Sequence, residues 1–153
     1  MSAVEDRLRE QGLEVPGVPA PVAAYIPAVR TGSYVFTSGQ LPLRDGQLLL
    51  TGKVGGEVSA EEAYDCARQC ALNAIAAVKS QVDDLDTVTR VVKATVFVAS
   101  TPDFTGQPAV ANGASELFAA AFGDVGQHTR SAVGVPVLPL DAPVEVELIV
   151  EIG

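Results

Sequence analysis

The sequence predicts an α+β fold: a mixed sheet with two helices packed on one face. Three observations carry that expectation. The patterns run hairpin, helix, strand, helix, strand, strand, which suits a single sheet with helices laid against it. The final segment, Pro143 to Ile152, alternates with period two. Val144, Val146, Leu148, Val150 and Ile152 share one face, and Glu145, Glu147, Ile149 and Glu151 share the other. Residues from Ala60 to about Val82 carry a helical stripe of small side chains that suits close packing on a sheet: Ala63, Cys66, Ala67, Cys70, Ala71, Ala74, Ala77 and Val78. A chain of 153 residues is expected to form one domain with a sizeable core.

In order, Ser2 is placed to cap a short helix through about Gln11, ended by Gly12. Val15 to Val22 holds Pro16, Gly17, Pro19 and Pro21 and reads as an extended lead-in. Residues 1–19 are therefore read as an N-terminal extension and residues 20–153 as the domain. Strands are expected near Ala28-Val29 and over Ser33 to Ser38. Arg44-Asp45-Gly46 marks a hairpin turn, with Gln47 to Leu50 returning. Gly52, Gly55 and Gly56 lie in a loop that lacks the spacing of a phosphate-cradling motif. Ser59 with Glu62 forms a capping box for the long helix, from which Tyr64, Asp65, Arg68, Gln69 and Lys79 face mostly away.

Asp83 to Asp86 is a turn, and Val88 to Ala99 is β-branched enough for a long strand. Thr101 is expected to cap the second helix with Pro102 just inside. Its first turn is irregular around Gly106 and Pro108, and the firm part runs from Ala109 to Phe122 before Gly123. Strands at Arg130 to Val135 and Pro143 to Ile152 close the chain. Two helices cover only one sheet face. The other face, half apolar, is expected to meet a second copy of the chain, with any site at or beside that contact.

Composition narrows the function classes. A net charge of −9, from 10 basic and 19 acidic residues, disfavours non-specific binding to nucleic acid or a membrane surface. No apolar run approaches the length of a membrane helix, and residues 1–12 do not resemble a signal peptide, so a cytoplasmic protein is expected. Cys66, Cys70 and the single histidine, His128, make a poor metal set, so neither metal nor cofactor is expected.

Arg130 opens one strand and Glu145 lies in the next, so the two side chains are candidates for one cleft. A guanidinium fork suits a carboxylate bidentately, and a Glu can orient or deprotonate a water. On periodicity alone, a structural ion pair or solvated charges explains these residues as well. His128, two residues before Arg130, reads as a surface loop residue.

An ordered set of motifs carries a resemblance over residues of about 20 to 152. It comprises Tyr25, Thr37-Ser38-Gly39-Gln40, a helix containing Asn73, Val92 to Val98, Asp103-Phe104, Asn112, Arg130-Ser131, Leu138-Pro139 and Val144-Glu145-Val146-Glu147. The chain resembles the Rid family, also called the YjgF/YER057c/UK114 family. That resemblance implies a chorismate-mutase-like fold and a homotrimer whose sheets line a central barrel, with ligand clefts between subunits. It also implies cofactor-independent hydrolytic deamination of reactive 2-imino or enamine acids of the 2-aminoacrylate type, giving a 2-keto acid and ammonia.

Carried over by residue, the resemblance has Arg130 clamp the substrate carboxylate and Glu145 orient the attacking water. Tyr25 closes the cleft, Ser38 and Asn112 lie along it, and Gly39 and Gln40 are structural. Two other functions described for relatives or allowed by the residues stay open: a non-catalytic trimeric receptor for small carboxylates, and an endoribonuclease or translation inhibitor. The chain departs from the family at Ala132, often Cys, and at Ala23-Ala24, commonly Gly-Pro. Its segment between Phe104 and Asn112 is longer than usual, as expected of a divergent subgroup.

Overall fold

Strict alternation along the last strand decides how the domain is layered. The computed structural model describes residues 1–21 and 23–153. The chain runs through helix α1 (Ala3–Glu10) and strands β1 (Ala28–Thr31) and β2 (Tyr34–Thr37) to a hairpin of β3 (Leu43–Arg44) and β4 (Gln47–Leu48). Helix α2 (Ala60–Lys79), strand β5 (Val88–Ala99), helix α3 (Gln107–Phe122), β6 (Thr129–Val135) and β7 (Val144–Ile152) follow. Five strands form one mixed sheet in the order β1-β2-β7-β5-β6, parallel only between β5 and β6. The α+β class expected from the sequence is the fold observed. β3 and β4 stand apart as a two-stranded ribbon. Their Asp45-Gly46 turn has positive φ at both residues, 53° and 78°, the geometry that matches hairpin twist.

Along β7, Val144, Val146, Leu148, Val150 and Ile152 are buried while the intervening residues are half-buried. The buried row packs beneath α2 and α3 with Val91, Ala94, Val96 and Val98 of β5. Small side chains let the two helices approach closely. At Gly113 of α3 an added β-carbon would sit 3.0 Å from the Tyr64 carbonyl carbon of α2 and closer still to its oxygen. Burial on α2 extends beyond the expected stripe. Gln69, read as facing away, is only 6% exposed and donates to Asn73, because the hairpin covers that side of the helix and Arg44 donates to the Gln69 oxygen.

The other sheet face carries exposed Val29, Tyr34, Phe36 and Val133 beside the outward row of β7. Helix α1 has the capped start expected at Ser2, completed by Glu5 into a capping box. Asp86 adds to it by accepting from the Ala3 and Val4 amides at 2.8 and 3.1 Å. Val4 and Leu8 are buried in the same core as the sheet.

The start of α3 differs from the expectation. Thr101 does not cap it; the Thr101 amide donates to Val54, and the helix begins at Gln107 behind Gly106 with Pro108 in its first turn. Pro108 is tolerated in that first turn because the N–H it lacks would have no partner within the helix. Among the described residues, no helix is long and apolar enough to cross a membrane.

Candidate functional site

Glu145 lies on the outward row of β7, and its surroundings are built by the segment that passes β7 on the way to the hairpin. Gln40 pairs with Val146 in both directions, amide to carbonyl at 2.8 and 3.0 Å. That bridge lays Gly39 directly alongside Glu145. Gly39 has no need of an unusual φ; what it supplies is space, since a β-carbon there would sit 2.8 Å from Glu145 Cδ and closer to Oε1. The expected structural role of Gly39 is therefore a packing role at Glu145 itself. Asn73, 1% exposed, donates to the carbonyls of Leu41 and Leu43 at 3.0 and 2.9 Å, fixing the next wall.

These contacts wall a small, partly open cavity, with about 40 Å³ of room for water-sized molecules, lined by Glu145, Tyr25, Gly39, Leu41 and Pro139 and, from the lead-in, Pro19 and Pro21. Tyr25 thus stands at the cavity that holds Glu145. Ser38 stands beneath it rather than in its wall. Its hydroxyl donates to the Ile26 carbonyl at 2.6 Å and its amide to the Pro27 carbonyl at 2.8 Å, tying down the segment that presents Tyr25. Burial in this cavity raises the pKa of Glu145 above the ordinary carboxylate value, and the like charge of Glu147 adds to the rise. A carboxyl so placed exchanges a proton more readily near neutral pH than an exposed one.

Arg130 sits elsewhere. Strand β6 is the edge of the sheet, and β5 lies between it and β7, so the last two strands are not neighbours. Arg130 pairs with Ala94, and Ala94 with Leu148, all in the row that faces the helices. Glu145 pairs with Phe97, in the opposite row. Within one chain the two side chains therefore leave opposite faces of the sheet. Three residues and two strand spacings put their backbones roughly 14 Å apart. The idea that Arg130 and Glu145 share a cleft on adjacent strands fails for a single chain.

What Arg130 meets instead is α3. Its Nη1 donates to Asn112 Oδ1 at 2.8 Å and to Ser115 Oγ at 3.2 Å. Asn112 thus accompanies Arg130, while Tyr25 and Ser38 belong with Glu145. Ser115 and His128 were not anticipated from the sequence. His128 lies in a loop as expected, but half-buried rather than at the surface, with Nε2 2.8 Å from Ser115 Oγ, Nδ1 2.6 Å from the Gly126 carbonyl, and its ring edge-on to Phe118. Helical spacing of Asn112 and Ser115, and the period-two spacing of His128 and Arg130, are the signals that put all four on one patch.

The two cysteines lie in the core between α2 and the sheet. Burial pushes the Cys66 thiol up to about 11 and raises Cys70 as well, which leaves both as unreactive core residues. Among the described residues, no group of three or more His, Cys, Asp or Glu side chains is placed to hold a metal.

Comparison with known proteins agrees with this architecture. Residues 5–152 match the family model described as "YjgF/chorismate_mutase-like, putative endoribonuclease". Protein TCP17 of Trypanosoma cruzi is 43% identical over 151 residues, covering 98% of this chain and 94% of that protein. A 2-iminobutanoate/2-iminopropanoate deaminase of Salmonella typhimurium is 36% identical over 134 residues, covering 86% and 89%. Among solved structures, Atu1372 of Agrobacterium tumefaciens, of unknown function, superposes with a TM-score of 0.93 at 43% identity, covering 99% of this chain and 93% of that one. With nearly its whole length matched by the family model and the same mixed sheet, the chain belongs to the YjgF/chorismate mutase-like family, the Rid family.

Proposed function

We propose that the protein is a cofactor-independent hydrolytic deaminase of reactive 2-imino and enamine acids, working in clefts between the subunits of a homotrimer. The observation that carries this reading is the separation of its two key charges. A guanidinium anchored by Asn112 and Ser115 lies at the β6 edge, and a half-buried carboxylate lies in a walled cavity on the opposite sheet face. A second copy that sets its β6 edge beside the first copy's Glu145 cavity joins them. The exposed Val29, Tyr34, Phe36 and Val133 supply apolar surface for that contact.

In such a cleft Arg130 of one subunit holds the substrate carboxylate, with Asn112 beside it. Glu145 of the next takes a proton from water as the oxygen adds to the imine carbon, C2, and hands that proton to the imine nitrogen. The resulting 2-amino-2-hydroxy acid loses its amine when that nitrogen is protonated. The hydroxyl proton is given up, the C–N bond breaks, and a 2-keto acid and ammonia leave. An enamine enters the same route after a proton moves to its terminal carbon. The raised pKa of Glu145 suits a group that must both accept and return a proton. Tyr25 closes the cavity mouth, and Ser38 supports Tyr25 from below. The deaminase name borne by the Salmonella typhimurium relative supports the reaction class. The net charge of −9 weighs against RNA as the substrate.

The test couples a pyridoxal-phosphate dehydratase, which releases 2-aminoacrylate, to the purified protein and follows loss of the imine. Acceleration by the wild type and none by Arg130→Ala or Glu145→Gln is expected. No acceleration by the wild type contradicts the reading. Binding of pyruvate without any turnover would replace the enzyme with a small-carboxylate receptor.

A further inference from the structure

The chain's single histidine stands behind Arg130, and we propose that His128, acting through Ser115, is a positioning residue that sets the Arg130 guanidinium for a substrate carboxylate. This rests on the carboxylate-clamp role given to Arg130 above and adds the device that aims it.

Donor and acceptor bookkeeping fixes the direction of each bond. A carbonyl only accepts, so the Gly126 oxygen 2.6 Å from Nδ1 places the ring proton on Nδ1. In the neutral ring Nε2 is then an acceptor, and at 2.8 Å it takes the Ser115 hydroxyl proton. With its proton committed, Ser115 Oγ turns lone pairs outward, and Arg130 Nη1 donates to it at 3.2 Å. Asn112 Oδ1 receives the other Nη1 hydrogen at 2.8 Å. Both hydrogens of Nη1 are thus used by α3, and the Nε–Nη2 edge, which these anchors do not engage, is the edge that presents two parallel donors to a carboxylate.

The ring itself is held. Phe118 meets it edge-on with centroids 5.6 Å apart at 88°, and Phe118 is fully buried. The groups facing His128 are therefore Ser115 and Phe118 from α3, the Gly126 carbonyl from its own segment, and Arg130 two residues along the strand. Without an acceptor at Nε2 the Ser115 proton is free to turn toward Arg130, and the guanidinium loses one of its two anchors. An arginine at an edge strand keeps many rotamers unless such contacts select one.

The experiment measures pyruvate affinity of the full-length protein by calorimetry, with KM and kcat for the coupled imine assay alongside. His128→Phe keeps a ring against Phe118 but removes the acceptor; His128→Gln returns an acceptor near the Nε2 position; Ser115→Ala breaks the link. Expected are a roughly tenfold weaker pyruvate affinity and a matching rise in KM for His128→Phe and Ser115→Ala, kcat within about twofold, and most of the loss restored in His128→Gln. Should His128→Phe fail to fold, Ser115→Ala carries the test. Wild-type pyruvate affinity in Ser115→Ala or His128→Phe, while Arg130→Ala does not bind, overturns the positioning role and leaves the clamp. A kcat loss at unchanged KM overturns it as well. Pyruvate that ignores the wild type, or binds Arg130→Ala equally, overturns clamp and positioning together.

Discussion

The carboxylate of Glu145 rests on the bare backbone of Gly39, so closely that a single methyl group at position 39 would occupy its place. Gly39 is fixed there by the Gln40–Val146 bridge, and the cavity around Glu145 takes its shape from that contact.

Gly39→Ala is therefore expected to push the carboxylate aside rather than unfold the chain, because a flexible side-chain end is what yields. Displacing a catalytic group by an ångström can cost about a hundredfold in rate. A kcat lowered by that order with an unchanged melting temperature is the expected pair of readings. Wild-type kcat in this variant would show that the Glu145 position does not matter.

Gly113→Ala presents the opposite case. The obstacle is the Tyr64 backbone carbonyl on α2, which cannot retreat without moving a helix. A loss of about 1–3 kcal/mol is expected, as for other overpacked cores, readable as a lowered denaturation midpoint. A neutral substitution would mean that the α2–α3 crossing is looser than described.

The N-terminal helix responds to acid through Glu5. Lys79 and the Ser2 amide and hydroxyl hold its carboxyl down to about 2, from an ordinary value of 4.5. The folded pKa is depressed, so the stabilisation is present above 4.5 and is lost as pH falls toward 2. Glu5→Gln, which can keep the capping box but not the charge facing Lys79, is expected to cost up to about 1 kcal/mol at pH 7 and to show a shallower acid destabilisation between those values. Parallel acid profiles for variant and wild type would contradict this.

Asp86 holds the same helix from the other side, through two amides. Asp86→Ala is expected to cost about 1–2 kcal/mol and to raise hydrogen exchange in residues 3–10 before the sheet is affected. Exchange that rises uniformly across the chain would instead place α1 inside the global unfolding unit.

Local patterns were legible in the sequence where one chemistry dominated. The β7 alternation, the Ser59–Glu62 capping box and the Val88–Ala99 strand each follow from adjacent residues, and each is observed. What was not legible depends on distant partners. Nothing in β6 or β7 alone says that β5 lies between them; the parallel β5–β6 pairing, reached through α3, decides it. That insertion holds Arg130 and Glu145 two strands apart, and the register, Arg130 to Ala94 but Glu145 to Phe97, turns them to opposite faces. Gln69 looked outward until the hairpin covered it, and Thr101 looked like a cap although the helix starts only at Gln107, behind Gly106. His128 and Ser115 have ordinary spacing, and only the meeting of α3 with the sheet edge gives them work.

Mixing two inactive variants tests most directly whether one cleft draws on two subunits. If Arg130 comes from one protomer and Glu145 from the next, a trimer containing both Arg130→Ala and Glu145→Gln chains has one intact cleft. Equal mixing of unfolded chains and joint refolding then restores about a quarter of wild-type imine hydrolysis. Mixed trimers that stay as inactive as either variant alone, or a protein that is monomeric in solution, would contradict the account.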